Sequence, residues 1–269
     1  MTQSSFPRAR KRFGQNFLHD QAVINSIVEA ISPEAGQHLV EIGPGRGALT
    51  KPLLERCTQL DVIELDRDLV PLLRTQFSDY EQLEIHEADA LRYDYDQLVS
   101  NNEPLRIIGN LPYNITTPLL FHLLDYSQHI TDMCFMLQKE VVERICAQPG
   151  TKQYGRLSIM IQYQCEADML FIVPPEAFEP APKVESAIIY LQPRKERLGG
   201  DVDMATLSHI VTQAFSQRRK TIANTLKKLI SIDMFQAADI DPTQRPETIT
   251  VESFVRLTRC YLATLAESQ

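Results

Sequence analysis

Four consecutive residues, Asn110-Leu111-Pro112-Tyr113, combine a side-chain amide, a proline-constrained main chain and an aromatic ring. Together these are the parts needed to grip a flat base that carries an exocyclic amine. Such an amine, as in adenine, is a poor nucleophile because its lone pair is delocalised into the ring. Acceptors on its hydrogens rotate or pyramidalise the nitrogen and free that lone pair. The side-chain oxygen of Asn110 and the carbonyl of Leu111 are the candidates. Pro112 fixes φ and holds the turn. Tyr113 offers a stacking face, since a base taken out of its stack is held between aromatic or apolar surfaces. The second face is expected from Phe178, in the proline-dense run Val173-Pro-Pro-Glu-Ala-Phe-Glu-Pro-Ala-Pro-Lys183, which is stiff enough to hold an aromatic outward. Core packing is the ordinary fate of an aromatic. A strand-end turn and a proline loop weigh against it here.

Upstream, Gly43-Pro-Gly45-Arg-Gly47 closes one apolar run and opens a helix-like one. Glycines let the backbone turn sharply and let a ligand approach where a Cβ would clash. The spacing is G-x-G-x-G, not the dinucleotide fingerprint G-x-G-x-x-G. Glu64, Asp89 and Asn110 follow at intervals of 21, 25 and 21 residues, each at the end of a strand-like run. A carboxylate at the position of Glu64 can accept both hydroxyls of a ribose, and Asp89 can accept from an adenine amino group. Glu41, inside the first run, must be paired or near the site, where it would attract an ammonium group. A tight turn or a helix N-cap accounts for each residue alone. Four aligned strand ends are much harder to explain that way.

The elements that must position these groups alternate. An amphipathic helix over 20–31 buries Val23, Ile24, Ile27, Val28 and Ile31 on one face. Strands are expected at His38–Gly43, Leu60–Asp66, Leu83–Asp89, Leu105–Gly109 and Met133–Leu137, with helices at 47–56, 68–77, 117–126 and 139–147 between or after them. That alternation implies an α/β fold with a mostly parallel sheet, which binds ligands at the carboxyl ends of its strands. Leu157–Ile161 reads as helix, and Leu170–Val173 and Ala187–Leu191 as an antiparallel edge. A polar linker at Pro193–Asp203 contains Gly199-Gly200. The pattern predicts a catalytic domain over 1–200 and a small all-helical domain over 201–269.

No apolar run approaches the ~20 residues of a membrane span. The basic start, Arg8-Ala-Arg-Lys-Arg12, lacks the apolar core of a signal peptide, so a cytoplasmic protein is expected. Five scattered cysteines form no C-x-x-C pair, and reduced thiols are the simplest account. No metal is expected. The net charge of −8 argues against a nucleic-acid partner only if basic residues are dispersed. They cluster instead, at Arg10, Lys11 and Arg12 and at Arg218, Arg219 and Lys220. Solvated charge is the commoner meaning of such runs, but the motifs above favour a nucleic-acid partner.

The glycine loop is similar to that of S-adenosylmethionine-dependent methyltransferases. Over nearly its whole length the chain resembles the small-subunit ribosomal RNA adenine dimethyltransferases. The matching segments are Lys11-Arg-Phe-Gly-Gln-Asn-Phe-Leu18, Glu41-Ile-Gly-Pro-Gly45, Val62-Ile-Glu-Leu-Asp-Arg-Asp68, Gly109-Asn-Leu-Pro-Tyr-Asn114, Met136-Leu-Gln-Lys-Glu140, Tyr154-Gly-Arg-Leu-Ser158, Pro182-Lys-Val-Glu-Ser186 and Phe215-Ser-Gln-Arg-Arg-Lys-Thr221. The resemblance implies a Rossmann-like class I methyltransferase sheet and S-adenosylmethionine as methyl donor. It also implies a pre-assembled small ribosomal subunit with its 16S RNA as partner; a monomer is expected. Four methyls would go to two adjacent adenosines near the 3′ end of that RNA. By position, Asn16, Leu18, Gly43, Glu64, Asp89 and Asn110 would carry the cofactor contacts, with Glu41 and Gly45 beside them. The basic triplet 218–220 is expected on a helix. Arg46 is given no role.

Other readings remain open. A large-subunit RNA methyltransferase would share the tetrapeptide, but the Phe215–Thr221 match and the helical tail favour the small subunit. An assembly factor without catalysis would not need Asn110, Pro112, Tyr113 and Glu64 intact. A DNA adenine methyltransferase would more typically carry Asp in place of Asn110. An NAD enzyme would need the longer glycine spacing.

Overall fold

The computed structural model describes residues 15–99 and 103–267. The chain divides into two compact units. One runs up to Val142 and takes in Asp168–Pro193; the other holds Glu143–Ala167 and the chain from Arg194 onward.

The first unit opens with β1 (Phe17–Leu18) and α1 (Gln21–Ile31). Asp20 caps α1 by accepting from the amides of Ala22 and Val23, and Ile24, Ile27, Val28 and Ile31 form its buried face. Then come β2 (His38–Ile42), α2 (Thr50–Leu54), β3 (Gln59–Glu64), α3 (Val70–Gln76), β4 (Leu83–Glu87), β5 (Leu105–Asn110), α4 (Thr116–Asp125) and β6 (Ile130–Gln138). After α5 (Lys139–Ile145) and α6 (Arg156–Gln162), the chain forms β7 (Cys165–Val173), β8 (Phe178–Glu179) and β9 (Ser186–Pro193). Seven strands make one sheet in the order β4-β3-β2-β5-β6-β9-β7. Strands β4 to β2, β5 and β6 run parallel, and β9 runs antiparallel to β6. Strands β2 and β5 are buried almost throughout, their polar His38, Glu41 and Arg106 included, as the central strands of a sheet covered on both faces are.

The chain winds outward from β2 to β4, then returns to lay β5 on the other side of β2. That reversal opens a crevice between the carboxyl ends of β2 and β5, the usual ligand position in such sheets. Gly109 makes the junction close: a Cβ there would stand 2.4 Å from the carbonyl oxygen of Ile42.

The expected parallel strands and the helices between them are present, with ends moved by a few residues. One addition is a separate two-stranded ribbon, in which Phe17 pairs with Glu179 and Leu18 with Phe178.

In the second unit the C-terminal segment is all helical among the described residues: α7 (Met204–Ala214), α8 (Ile222–Leu226), α9 (Ile232–Ala237) and α10 (Val251–Glu267). Asp203 caps α7, which buries Leu207, Ile210, Val211 and Ala214. Its neighbour Phe215 meets Phe254 of α10 at 6.1 Å between ring centroids. The division falls at 193/194 rather than at 200/201, and α6 joins the helical unit. Main-chain bonds explain why: Arg194 donates to Gln164 and Leu198 to Tyr163, so the expected linker folds back on the end of α6.

Candidate active site

The carboxyl ends of β2, β3 and β5 and the turn after β4 surround a cleft of about 1180 Å³, counting the solvent at its mouth. Asn16, Leu18, Glu41, Gly43, Gly45, Glu64, Asp89, Asn110, Leu111, Pro112 and Tyr113 all line it. Residues spread over almost a hundred positions of the sequence are thus brought to one cleft.

The glycine loop forms one wall. Gly45 has φ +59, a left-handed conformation that favours glycine, and a Cβ on it would meet the Phe17 ring at 3.2 Å. Its amide donates to Glu64 at 3.3 Å, and the Asp66 amide donates to the other carboxylate oxygen at 2.8 Å. Burial nonetheless raises the pKa of Glu64, these two bonds working against the rise. Glu41 is 2% exposed. Burial raises its pKa to about 7, against the Thr50 hydroxyl bond at 2.6 Å and with help from the charge of Glu64. Asp89 lies two residues beyond β4 and accepts from the Leu91 amide at 3.0 Å.

Asn110 ends β5. Its Nδ2 donates to the main-chain oxygen of Asn16 at 3.2 Å, which fixes the amide plane and leaves Oδ1 as the acceptor. The Leu111 amide donates to the Met136 carbonyl at 3.2 Å, and the Pro112 carbonyl accepts from Ile115 and from the Thr116 hydroxyl. Tyr113 is partly buried, and its hydroxyl shares a 2.9 Å hydrogen bond with Ser186. Burial raises its pKa, with the Ser186 bond opposing.

Some sequence expectations need correction. Phe178 is 3% exposed, packs in the apolar core cluster with Leu18, Val173 and Ala177, and does not line the cleft. The proline loop does not hold it outward, because pairing of β8 with β1 turns its ring inward. Arg218, Arg219 and Lys220 are exposed, but on the turn between α7 and α8 rather than on a helix. Arg10, Lys11 and Arg12 lie outside the described residues.

Other residues escaped the sequence. Gln15 and Phe17 join Asn16 and Leu18, which were expected there, in a strap along the cleft. Gln15 donates to Asp66 at 3.1 Å, and the Arg46 guanidinium lies 4.2 Å from the Phe17 ring centroid and 3.9 Å from Glu179. Thr50 and Ser186 hold site residues from behind. Leu65, 49% exposed, adds an apolar surface beside Glu64. A flat apolar ring fits against it while the neighbouring carboxylate takes polar hydrogens.

Comparison with known proteins agrees with this geometry. The chain is 56% identical to the ribosomal RNA small subunit methyltransferase A of Hahella chejuensis over 250 residues, covering 93% of this chain and 92% of that one. Its fold matches the crystal structure of the 23S rRNA methyltransferase ErmE at a TM-score of 0.72 and 26% identity, covering 91% of this chain and 99% of that one. It also matches a dimethyladenosine transferase from Plasmodium falciparum at 0.77 and 24%, covering 90% and 95%. The sheet and helices are thus those of the Rossmann-like class I methyltransferases. With a family model spanning residues 7–262, this chain belongs to the ribosomal RNA adenine dimethylase family.

Proposed function

We propose that the protein uses S-adenosylmethionine to convert two adjacent adenosines near the 3′ end of 16S ribosomal RNA, within the small ribosomal subunit, to N6,N6-dimethyladenosine. The observation that carries this is the Asn110 amide. It is oriented through Nδ2, with its acceptor oxygen left for an amine, at the switch point of the sheet and beside Tyr113. The small-subunit assignment is supported by the 56% identity to an enzyme named for that subunit, against 26% to a 23S enzyme.

The residues present fit the methyl donor. Glu64 is held by two backbone amides where a ribose would be gripped, Asp89 stands where a base amine would be met, and Leu65 gives an apolar face between them. Glu41 and Glu64 give a cationic ligand an acidic floor. When bound, S-adenosylmethionine supplies an electrophilic methyl group on a positively charged sulfur. The chain's own work is alignment. Tyr113 stacks on the target base, while Asn110 Oδ1 and the Leu111 carbonyl take the amine hydrogens and free the lone pair. The alkylated nitrogen is acidic and sheds its proton readily, so no strong base is required. The donor brings its own electrophile, so no metal is called for. Asp61, Glu84 and His86 bring ligand atoms within 4.8 Å of one another on β3 and β4, but none of the three lines the cleft.

The exposed triplet Arg218, Arg219 and Lys220 meets RNA phosphates, as do Arg10, Lys11 and Arg12. The catalytic machinery belongs to the unit that runs up to Val142 and takes in Asp168–Pro193, and the accessory helices to the other. The protein acts as a monomer in the cytoplasm, and no helix among the described residues is long and apolar enough to cross a membrane.

The test is incubation with S-adenosylmethionine and under-methylated small subunits, followed by nucleoside mass spectrometry. Dimethyladenosine is expected with wild type and not with Tyr113→Ala. Tight subunit binding without any methylated adenosine would replace this reading with that of a non-catalytic assembly factor.

A further inference from the structure

Two segments that match the family, Met136–Glu140 and Pro182–Ser186, contribute no lining residue to the cleft. They are nevertheless built onto each other. The last residue of β6, Gln138, is in register with the first of β9, Ser186. One step beyond, the Lys139 amide donates to the Glu185 carbonyl at 3.0 Å, and the Lys139 ammonium meets the Glu185 carboxylate at 2.8 Å. The same end of β6 receives the Leu111 amide on the Met136 carbonyl. This junction therefore holds the tetrapeptide on one side and Ser186 on the other. Ser186 is 0% exposed, and its hydroxyl reaches the Tyr113 phenol at 2.9 Å.

A ring that stacks on a base can swing about χ1, which carries its far end from one staggered well towards another. A buried hydroxyl on a strand end pins that far atom, the phenol oxygen. We infer that Ser186 is a positioning residue that acts through Tyr113, fixing where the ring lies so that the stacked base presents its amine to Asn110 and Leu111. This rests on reading the cleft as an adenine N6-methyltransferase site. It also bears on how many methyls are added. The second transfer must align a bulkier N-methylated amine, so loss of the pin slows the second step more than the first.

Ser186→Ala and Tyr113→Phe delete the two halves of one bond, and the second leaves the packed strand untouched. Each is expected to lower kcat about tenfold, the rate equivalent of one ordinary hydrogen bond. KM for S-adenosylmethionine and subunit affinity stay within about twofold, and monomethyladenosine accumulates. The double variant is expected to be no worse than either single one, and Ser186→Thr, which keeps the hydroxyl, to recover activity. A readout independent of turnover is the Tyr113 ring resonance in tyrosine-labelled protein, which shifts in Ser186→Ala. Additive losses in the double variant, equal damage to KM and binding, or a Ser186→Ala enzyme as fast as active wild type would each overturn the positioning role alone. A wild type that makes no methylated adenosine would overturn the reading of the cleft, and this inference with it.

Discussion

Asp61 and Glu64 stand three residues apart on β3, both almost wholly buried, yet they titrate in opposite directions. Burial pushes both upward. At Asp61 it is outweighed by His38 and His86, whose Nε2 atoms each lie 2.5 Å from one carboxylate oxygen, and the pKa falls to about 2. At Glu64 two backbone amides do not suffice, and at Glu41 one threonine hydroxyl does not. The same contrast separates the two ends of the sheet. Near the amino ends of β5 and β6, Arg106 is bound by Asp132, Gln37 and the carbonyls of Ile31 and Ser32, while Tyr190 donates to Asp132. Charged groups on the scaffold side are paired with partners from the protein. Those on the cleft side are left short of them, as a surface that must bind a charged ligand requires.

The largest effect should come from breaking the paired side. Arg106→Ala leaves Asp132 buried without its cation, and a cost of about 3–5 kcal/mol is expected. Urea unfolding monitored by circular dichroism would show it as a lowered midpoint. A loss below about 1 kcal/mol would mean that this network is not the scaffold's anchor.

Next is the opposite change on the cleft side. The pKa of Glu41 is higher folded than unfolded, so the folded state holds the proton longer. Stability then falls as pH rises from 4.5 through about 7. Glu41→Gln removes that loss. It should be as stable as wild type at pH 4 and more stable at pH 8, by up to roughly 3 kcal/mol, while binding S-adenosylmethionine less tightly in calorimetry. A variant destabilised at pH 8 would place Glu41 among the structural carboxylates instead.

The contrast also marks what could be read from the sequence. Strands β2 and β5 were legible because a run buried on both faces is mostly apolar, as Leu39-Val40 and Ile107-Ile108 are, and is bounded by glycine or a polar residue. The cleft was legible because ligand groups collect at strand ends, so Gly43, Glu64, Asp89 and Asn110 could be placed by counting. The supports were not. Thr50, Arg46 and Ser186 act through contacts between elements, which leave no local pattern. The pairing of the strap with β8 was missed because two-residue strands have no period, and Phe178 was turned the wrong way because its partner, Leu18, lies far away in sequence. The basic triplet followed the helical pattern of α7, yet Arg218, Arg219 and Lys220 bring no apolar stripe to continue it.

A smaller effect is expected from Asp61→Asn. The depressed pKa of Asp61 gives wild type stability that is present above about 4 and lost as pH falls towards 2. Its hydrogen bond is also the main reason the pKa of His86 is raised. That contribution is present below pH 6.5 and lost as pH rises past it. The variant should flatten both limbs of a plot of melting temperature against pH. An unchanged acid limb would show that another carboxylate governs it.

The smallest effect tests the strap. Arg46 lies over the Phe17 ring and near Glu179, joining the glycine loop to both strands of the ribbon. A partly exposed cation–π contact contributes about 0.5–1 kcal/mol, and an exposed ion pair less. Arg46→Ala should therefore leave the melting temperature nearly unchanged. Because Phe17 packs on Gly45 in the cleft wall, the loss should appear instead as affinity for S-adenosylmethionine weakened by about two- to fivefold, through faster dissociation. Stopped-flow release of the cofactor would resolve it. An unaltered off-rate would mean that Gln15–Asp66 and Asn16–Asn110 are enough to hold the strap, and that the cleft side is less dependent on single contacts than the raised pKa values of Glu41 and Glu64 imply.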